Sequence, residues 1–307
     1  MHAGRERRYI EKLNMNTEIS GFPGLSGCII EVFRNTETTY VRKITRDMIY
    51  APRLKKQAQK QREFFLKNSL PYLLIPEIIR EDEGYDYYSF EMPYYRSKNY
   101  IEFFQNATRS DIDSIVNKLI EFVEYNLAES SPTEITKEKL LDKYYDVQKK
   151  TSENSIIDIE VKEDIFRQSD SIFSVLEDSM SIPVGYCHGD LTFSNILFNK
   201  DKKEIVLLDW LDTFIETPLQ DIVKLRQDSK YYWSLNLYQS SFDRTKMLLV
   251  MEYVDKKIDT YFAKHSFYND YYRVFQLLNF LRILPYAKKE STVSFLKKSI
   301  EAIISDQ

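Results

Sequence analysis

Glycine is scarce in this chain and unevenly placed, which limits where its backbone can turn tightly. Seven glycines occur in 307 residues, about 2% against a usual ~7%. Gly21, Gly24 and Gly27 share one short window, and Gly185 and Gly189 share another. A residue without a Cβ reaches left-handed conformations and lets a backbone approach a ligand closely. The chain therefore concentrates that freedom at two places and gives most of its length to helices and strands. Histidine is equally sparse, with His2, His188 and His265 the only three, and His188 adjoins Gly189.

The length allows one large domain or two small ones with ample core. Lys and Arg number 43 against 47 Asp and Glu, a net charge of -4, which argues against a general nucleic-acid or anionic-membrane surface. No apolar run approaches the ~18 residues of a membrane span. The start, MHAGRERRYIEK, lacks the apolar core of a secretory signal, so a cytoplasmic protein is expected. Cys28 and Cys187 lie far apart; the spacing suits reduced thiols and argues against zinc and haem.

The first glycine window is followed by the apolar run Cys28-Ile29-Ile30-Glu31-Val32-Phe33, a polar turn at Arg34 to Glu37, and the β-branched and aromatic stretch from Thr38 to Ile44. This reads as strand, glycine loop, strand, turn, strand. Leu54, Ala58, Gln61 and Phe65 recur at the spacing of one helix face, predicting a helix from about Arg53 to Leu66. Ile75 to Ile79 and Tyr87 to Met92 are two more strand candidates around a turn from Glu81 to Gly84. Residues 1–95 thus read as a five-stranded sheet with one helix.

From Ile101 onward the pattern turns helical. Ser110 with Asp113 resembles a helix cap, and Ile112, Val116, Leu119 and Val123 form an apolar stripe. Further helices are expected at about 134–150, 161–178, 218–228, 242–264, 268–286 and 291–304. One β-like hairpin interrupts them, from Asn195 to Asp209. There is no internal repeat and no low-complexity linker, so residues 93–100 read as a hinge between residues 1–95 and 96–307.

The second glycine window contains the chemistry. His188, Asp190 and Asn195 follow the H-x-D-x-x-x-x-N spacing of a phosphoryl-transfer catalytic loop, and Asp209 ends an apolar strand 14 residues after Asn195. Phosphoryl transfer builds charge on non-bridging oxygens, so catalysis is mostly positioning and electrostatic stabilisation. Mg²⁺ is a hard cation that prefers oxygen ligands, which the Asn195 amide and the Asp209 carboxylate supply. Asp190 then orients the acceptor hydroxyl and takes its proton. His188 is grouped with it as the residue that fixes the loop.

The segment HGDLTFSNILFNKDKKEIVLLDWLDTFIETPLQDIVKL, His188 to Leu225, resembles the signature of the aminoglycoside phosphotransferase and choline kinase superfamily. The resemblance implies an α+β, two-lobed protein-kinase-like fold, with a small N-terminal antiparallel sheet and one helix, and a larger, mainly helical C-terminal lobe. It implies Asp190 as catalytic base, Asn195 and Asp209 as magnesium ligands, and Asp221 as a brace for the catalytic loop. It also implies nucleotide-binding roles in the N-terminal half: Gly24 and Gly27 over the phosphates, Lys43 as the phosphate-binding lysine with Arg42 as runner-up, and Met92 and Tyr94 at the hinge that receives the base. Where the family pairs that lysine with a glutamate, this sequence offers Gln61, with Gln57 as another candidate.

No Asp-Phe-Gly and no Ala-Pro-Glu occurs; Asp209-Trp210-Leu211 stands in the first place. A small molecule is therefore the expected acceptor rather than a protein. The reading is a kinase that uses ATP or GTP with Mg²⁺ on a small-molecule hydroxyl, with no nucleic-acid partner and no membrane insertion. The alternatives are a kinase-like binding or regulatory module without transfer activity, and an unusual protein kinase. Aromatic residues from Tyr231 to Tyr238 and at Tyr271-Tyr272 could stack on a sugar or enclose a cation, although such residues more often pack helices.

Overall fold

The computed structural model describes residues 17–23, 28–34, 38–238 and 240–306. The chain divides into two compact units, one reaching to Phe103 together with Asn195–Asp212, the other formed by Phe104–Ser194 and the residues from Thr213 onward. The hairpin that interrupts the helical half of the sequence thus belongs to the first unit.

In the first unit, β1 (Thr17–Pro23), β2 (Ile29–Arg34), β3 (Thr39–Thr45), β5 (Arg80–Glu83) and β6 (Tyr88–Pro93) form a sheet in the order β1-β2-β3-β6-β5, antiparallel throughout. The helix α1 (Ala51–Lys67) carries Pro52 in its first turn, where a missing N–H costs nothing, and Lys67 in its last, where the charge suits the dipole. Its Leu54 and Ala58 are fully buried and pack with Cys28, just before β2, and with Tyr88, Phe90 and Met92 of β6. At about 2 kcal/mol for a fully buried leucine, this face holds the helix in place. The face ends on Phe64, which is buried against Trp210 with ring centroids 4.1 Å apart. The expected Phe65 is exposed; the buried row runs Leu54, Gln57, Gln61, Phe64 in steps of three and four, which carries the face onto Phe64.

The expected strand at Ile75–Ile79 is a loop, and the strand follows it at Arg80–Glu83. Pro76 has no N–H to give a ladder, and its carbonyl accepts instead from Gln61 Nε2 at 2.7 Å. Before that loop, β4 (Leu73–Leu74) runs parallel to β10 (Glu204–Leu207), which pairs antiparallel with β9 (Ile196–Asn199). This second small sheet is anchored by a bridge from Lys98 to Phe198 and by Phe103 stacked on Phe198 at 4.7 Å.

The second unit is mainly helical: α2 (Tyr100–Asn106) ends within it, and α3 (Arg109–Ala128), α4 (Lys137–Ser152), α5 (Ile159–Ser174), α6 (Pro218–Ser229), α7 (Trp233–Leu237), α8 (Arg244–Phe262), α9 (Ser266–Leu281) and α10 (Glu290–Ser305) follow. The cap of α3 lies two residues before the expected Ser110. Thr108 accepts from the Asp111 amide while Asp111 accepts from the Thr108 amide, a reciprocal pair that satisfies two otherwise orphaned donors. Asp113 instead meets Lys257 and Tyr253 at the surface. A two-stranded sheet, β7 (Ser131–Thr136) with β8 (Ser179–Val184), is absent from the sequence reading; Pro132 sits opposite Pro183 in it, and prolines weaken a strand signal.

The helix α6 differs from the others in being buried on nearly every side, Lys224 excepted. A helix buried all round belongs to a core, yet this one carries Asp221, Arg226 and Asp228. Buried charges persist only where they are paired or hydrogen-bonded. Arg226 donates to both carboxylate oxygens of Asp255 at 2.9 Å and to Asp259 at 2.6 Å. Among the described residues no helix is long and apolar enough to cross a membrane.

Candidate active site

In the first unit the site is built on the open end of the β9–β10 hairpin. Ile196 pairs with Leu207, and the Leu208 amide donates to the Asn195 carbonyl at 2.9 Å. That register sets Leu208 opposite Asn195 and leaves Asp209 one residue further on, both side chains just beyond the ends of their strands. Asp209 adopts a left-handed backbone, φ 59°, which costs a residue with a Cβ roughly 1 kcal/mol or more.

Lys43 on β3 reaches this point. Its Nζ lies 2.8 Å from Asp209 Oδ1 and 3.1 Å from Gln57 Oε1, and the side chain is 3% exposed. Burial pulls the ammonium's pKa down, but the charge and hydrogen bond of Asp209 outweigh it, so the net shift is upward. Arg42, one residue earlier, faces the other side of the sheet. There it forks onto Glu91 and lies over Phe33 at 4.6 Å, so the two basic residues do different work.

The amide partner of Lys43 is Gln57. The expected Gln61 sits one helical turn further on and gives its Nε2 to the Pro76 carbonyl and, at 3.6 Å, to Met92 Sδ. Met92 is buried in the core of this unit. The Tyr94 side chain is exposed and its amide donates to the Thr39 carbonyl at 3.0 Å. Gly24 and Gly27 lie outside the described residues. Asp212 pairs with Lys56 at 3.6 Å at the surface.

In the second unit, the loop from Cys187 to Ser194 rests on α6. The amides of His188 and Gly189 donate to the two oxygens of the Asp221 carboxylate at 2.7 and 2.8 Å, all of it buried. His188 Nδ1 accepts from the Asp190 amide at 3.2 Å, so the imidazole shapes the loop beneath the carboxylate. Gly189 has φ 86°, a conformation that a side chain resists. A Cβ on Gly185 would lie 2.8 Å from the Ser130 backbone, so the second glycine window is needed at both ends. Asp190 Oδ1 is 3.0 Å from Lys224 Nζ, with a quarter of the Asp190 side chain exposed. Phe193 donates its amide to Asp228 Oδ2 at 2.6 Å.

The loop geometry agrees with an independent comparison, in which the profile of the phosphotransferase enzyme family matches residues 30–238. The chain belongs to this family. No curated protein matches the sequence. Among solved structures, the apo form of a thermostable mutant of aminoglycoside phosphotransferase APH(4)-Ia aligns with TM-score 0.64 and 12% identity, covering 97% of this chain and 98% of that one. The microcompartment-associated aminopropanol kinase aligns with TM-score 0.58 and 10% identity over 97% and 95%. Spectinomycin phosphotransferase APH(9)-Ia, in complex with ADP and spectinomycin, aligns with TM-score 0.52 and 12% identity over 97% of each chain. At such identities the likeness establishes the two-lobed α+β fold shared with protein kinases.

Two residues of this phosphotransferase that contact the loop, Lys224 and Asp228, escape a reading of motifs. The signal available for them is spacing, since Asp221, Lys224 and Asp228 stand at i, i+3 and i+7 and so share one face of α6. The aromatic residues fall mainly in packing: Tyr231 meets Phe280 edge-on, Trp233 lies against Phe295, and Tyr272 lies under Arg226.

Asp228 gives a pH-dependent stability. It is fully buried, and burial raises its pKa to about 6 although Ser234 and Phe193 donate hydrogen bonds to its charged form. The folded state then holds a proton that the unfolded state releases near pH 4. Its contribution to stability is present at pH 4 and falls as the pH rises to about 6, by roughly 3 kcal/mol in all. Urea unfolding of the wild type and of Asp228→Asn at pH 4, 5, 6 and 7 checks this. The stability difference between the two proteins should change across pH 4–6 and be level above it.

Proposed function

We propose that this phosphotransferase is a kinase that moves the γ-phosphate of ATP to a hydroxyl of a small molecule, with Asp190 as catalytic base. The observation that carries the reading is the seating of Asp190. Both amides before it are taken by Asp221, while its own carboxylate stays partly exposed. A base must be held at one place and still be reachable by the acceptor.

In the proposed step the acceptor oxygen bonds to the γ-phosphorus as the bond from that phosphorus to the ADP oxygen breaks, and the hydroxyl proton passes to an Asp190 carboxylate oxygen. The Lys43 ammonium, held by Gln57 and Asp209, is the cation for the nucleotide phosphates. Adenine nucleotides in related structures, AMP-PNP in an APH(4)-Ia complex and ADP in the APH(9)-Ia complex, support ATP as the donor.

Mg²⁺ fits the donor set, since an amide oxygen and a carboxylate emerge together at the hairpin end, both hard ligands. No group of three or more His, Cys, Asp or Glu that could hold a metal occurs among the described residues. Asn195 and Asp209 would hold it, and when bound it neutralises charge developing on the phosphate oxygens.

The neutral Gln57 beside Lys43 favours one other reading, a nucleotide-binding module without transfer, because an amide orients an ammonium but supplies no ion pair. Two measurements separate the readings. Thermal stabilisation by ATP should require Mg²⁺, and sugars, amino alcohols and aminoglycosides should be screened for acceptor-dependent ADP release. Metal-dependent stabilisation with no ADP release from any acceptor class favours the binding module. For Lys43→Met, MgATP affinity measured by calorimetry should fall about 10-fold, the loss of roughly 1.4 kcal/mol of charge-assisted contact. An unchanged affinity removes Lys43 from the nucleotide site.

A further inference from the structure

The loop that presents Asp190 is gripped at three points by one face of α6, and the middle point is a cation. Asp221 takes the His188 and Gly189 amides before the aspartate, Asp228 takes the Phe193 amide after it, and between them Lys224 meets the carboxylate itself at 3.0 Å. The outer two contacts fix backbone. The central one fixes the side chain.

Lys224 is itself held. Its Nζ donates to Gln227 Oε1 at 3.2 Å, and that oxygen also accepts from Asn279 Nδ2 at 2.6 Å. Gln227 and Asn279 are 1% and 2% exposed, and the Lys224 side chain only 13%. A surface lysine samples many rotamers and its ion pairs are worth little. An ammonium fixed between a buried amide oxygen and a carboxylate instead acts as one rigid donor on one carboxylate oxygen, and a preorganised charge is effective where charge moves during reaction.

We propose that Lys224 is a positioning residue for phosphoryl transfer. It holds Asp190 Oδ1 in a single orientation and so aims the carboxylate that takes the acceptor proton. The proposal rests on Asp190 being the base. The α6 face that binds the loop also aims its functional group.

The test compares wild type, Asp190→Asn, Lys224→Met and Lys224→Arg by steady-state ADP release from MgATP, using the best acceptor of the screen, or water if none is found. Methionine keeps the buried stem and removes the charge; arginine restores it. The expected result is a kcat about 100-fold lower for Lys224→Met, the scale of a misplaced reacting group, with KM for MgATP within twofold and at least a tenfold recovery in Lys224→Arg. Wild-type turnover in Lys224→Met overturns the proposal. So does a loss confined to KM, or an equal loss in both Lys224 variants when circular dichroism shows them folded. A wild type that releases no ADP sinks the kinase reading, and this inference with it, without reference to any Lys224 variant. A crystal structure of Lys224→Met with Asp190 in its wild-type rotamer also overturns the proposal.

Discussion

Replacing Asp190 with asparagine is expected to lower kcat about 1,000-fold, within the range that general acid–base catalysis contributes, while MgATP still stabilises the protein. Asparagine has nearly the same shape and can still accept from Lys224 Nζ, which lies 3.0 Å from the aspartate Oδ1. It cannot take a proton from an acceptor hydroxyl. The amides of His188 and Gly189 remain on Asp221, so the loop has no reason to leave its place. ADP release and a thermal shift with MgATP, measured on the same sample, separate the loss of the base from loss of the fold. Turnover near the wild-type value would remove Asp190 from the chemistry, and a lost thermal shift would show that the substitution disturbs more than proton transfer.

The second large effect is on stability. Asp221 is fully buried and its two oxygens each accept one backbone amide, from His188 at 2.7 Å and from Gly189 at 2.8 Å. In Asp221→Asn one of those amides faces an NH₂ group, donor against donor, within a packed core. A buried donor left without its acceptor costs about 1–3 kcal/mol, and bonds to a charged group are the stronger ones. The expected loss is therefore about 3 kcal/mol in urea unfolding, with kcat lowered in proportion to the displacement of the loop. Asp221→Ala should be at least as severe. A change within 0.5 kcal/mol, the size of an ordinary surface substitution, would contradict the bracing role.

The parts of the fold that were legible in the sequence are those where one local rule acts alone. The β-branched runs of β2 and β3 and the 3.6-residue period of α1 announce themselves. So do the limits of α6, with Thr217 as its cap and Pro218 in its first turn. The misreadings share a cause in tertiary context. Ile75–Ile79 looks like a strand by composition, but Pro76 has no amide to pair and Gln61 claims its carbonyl. Gln61 and Gln57 lie one turn apart on the same helix, and the choice between them as partner of Lys43 depends on the rise of β3 against α1, which spacing alone does not contain. Lys224 and Asp228 were hidden differently. No chemical motif includes them, and their meaning comes from the loop they touch, more than 30 residues away in sequence.

The face of α6 also bears on how this half of the molecule opens and closes. Undocking the helix would strand the carboxylates of Asp221 and Asp228, and undocking the loop would strand the amides of His188, Gly189 and Phe193. Neither element can leave at the modest cost of an ordinary surface turn. Helix and loop are therefore one cooperative unit that opens together and slowly. Asp190, the proposed base, is thus presented by a segment with the stability of a core, although its carboxylate reaches solvent.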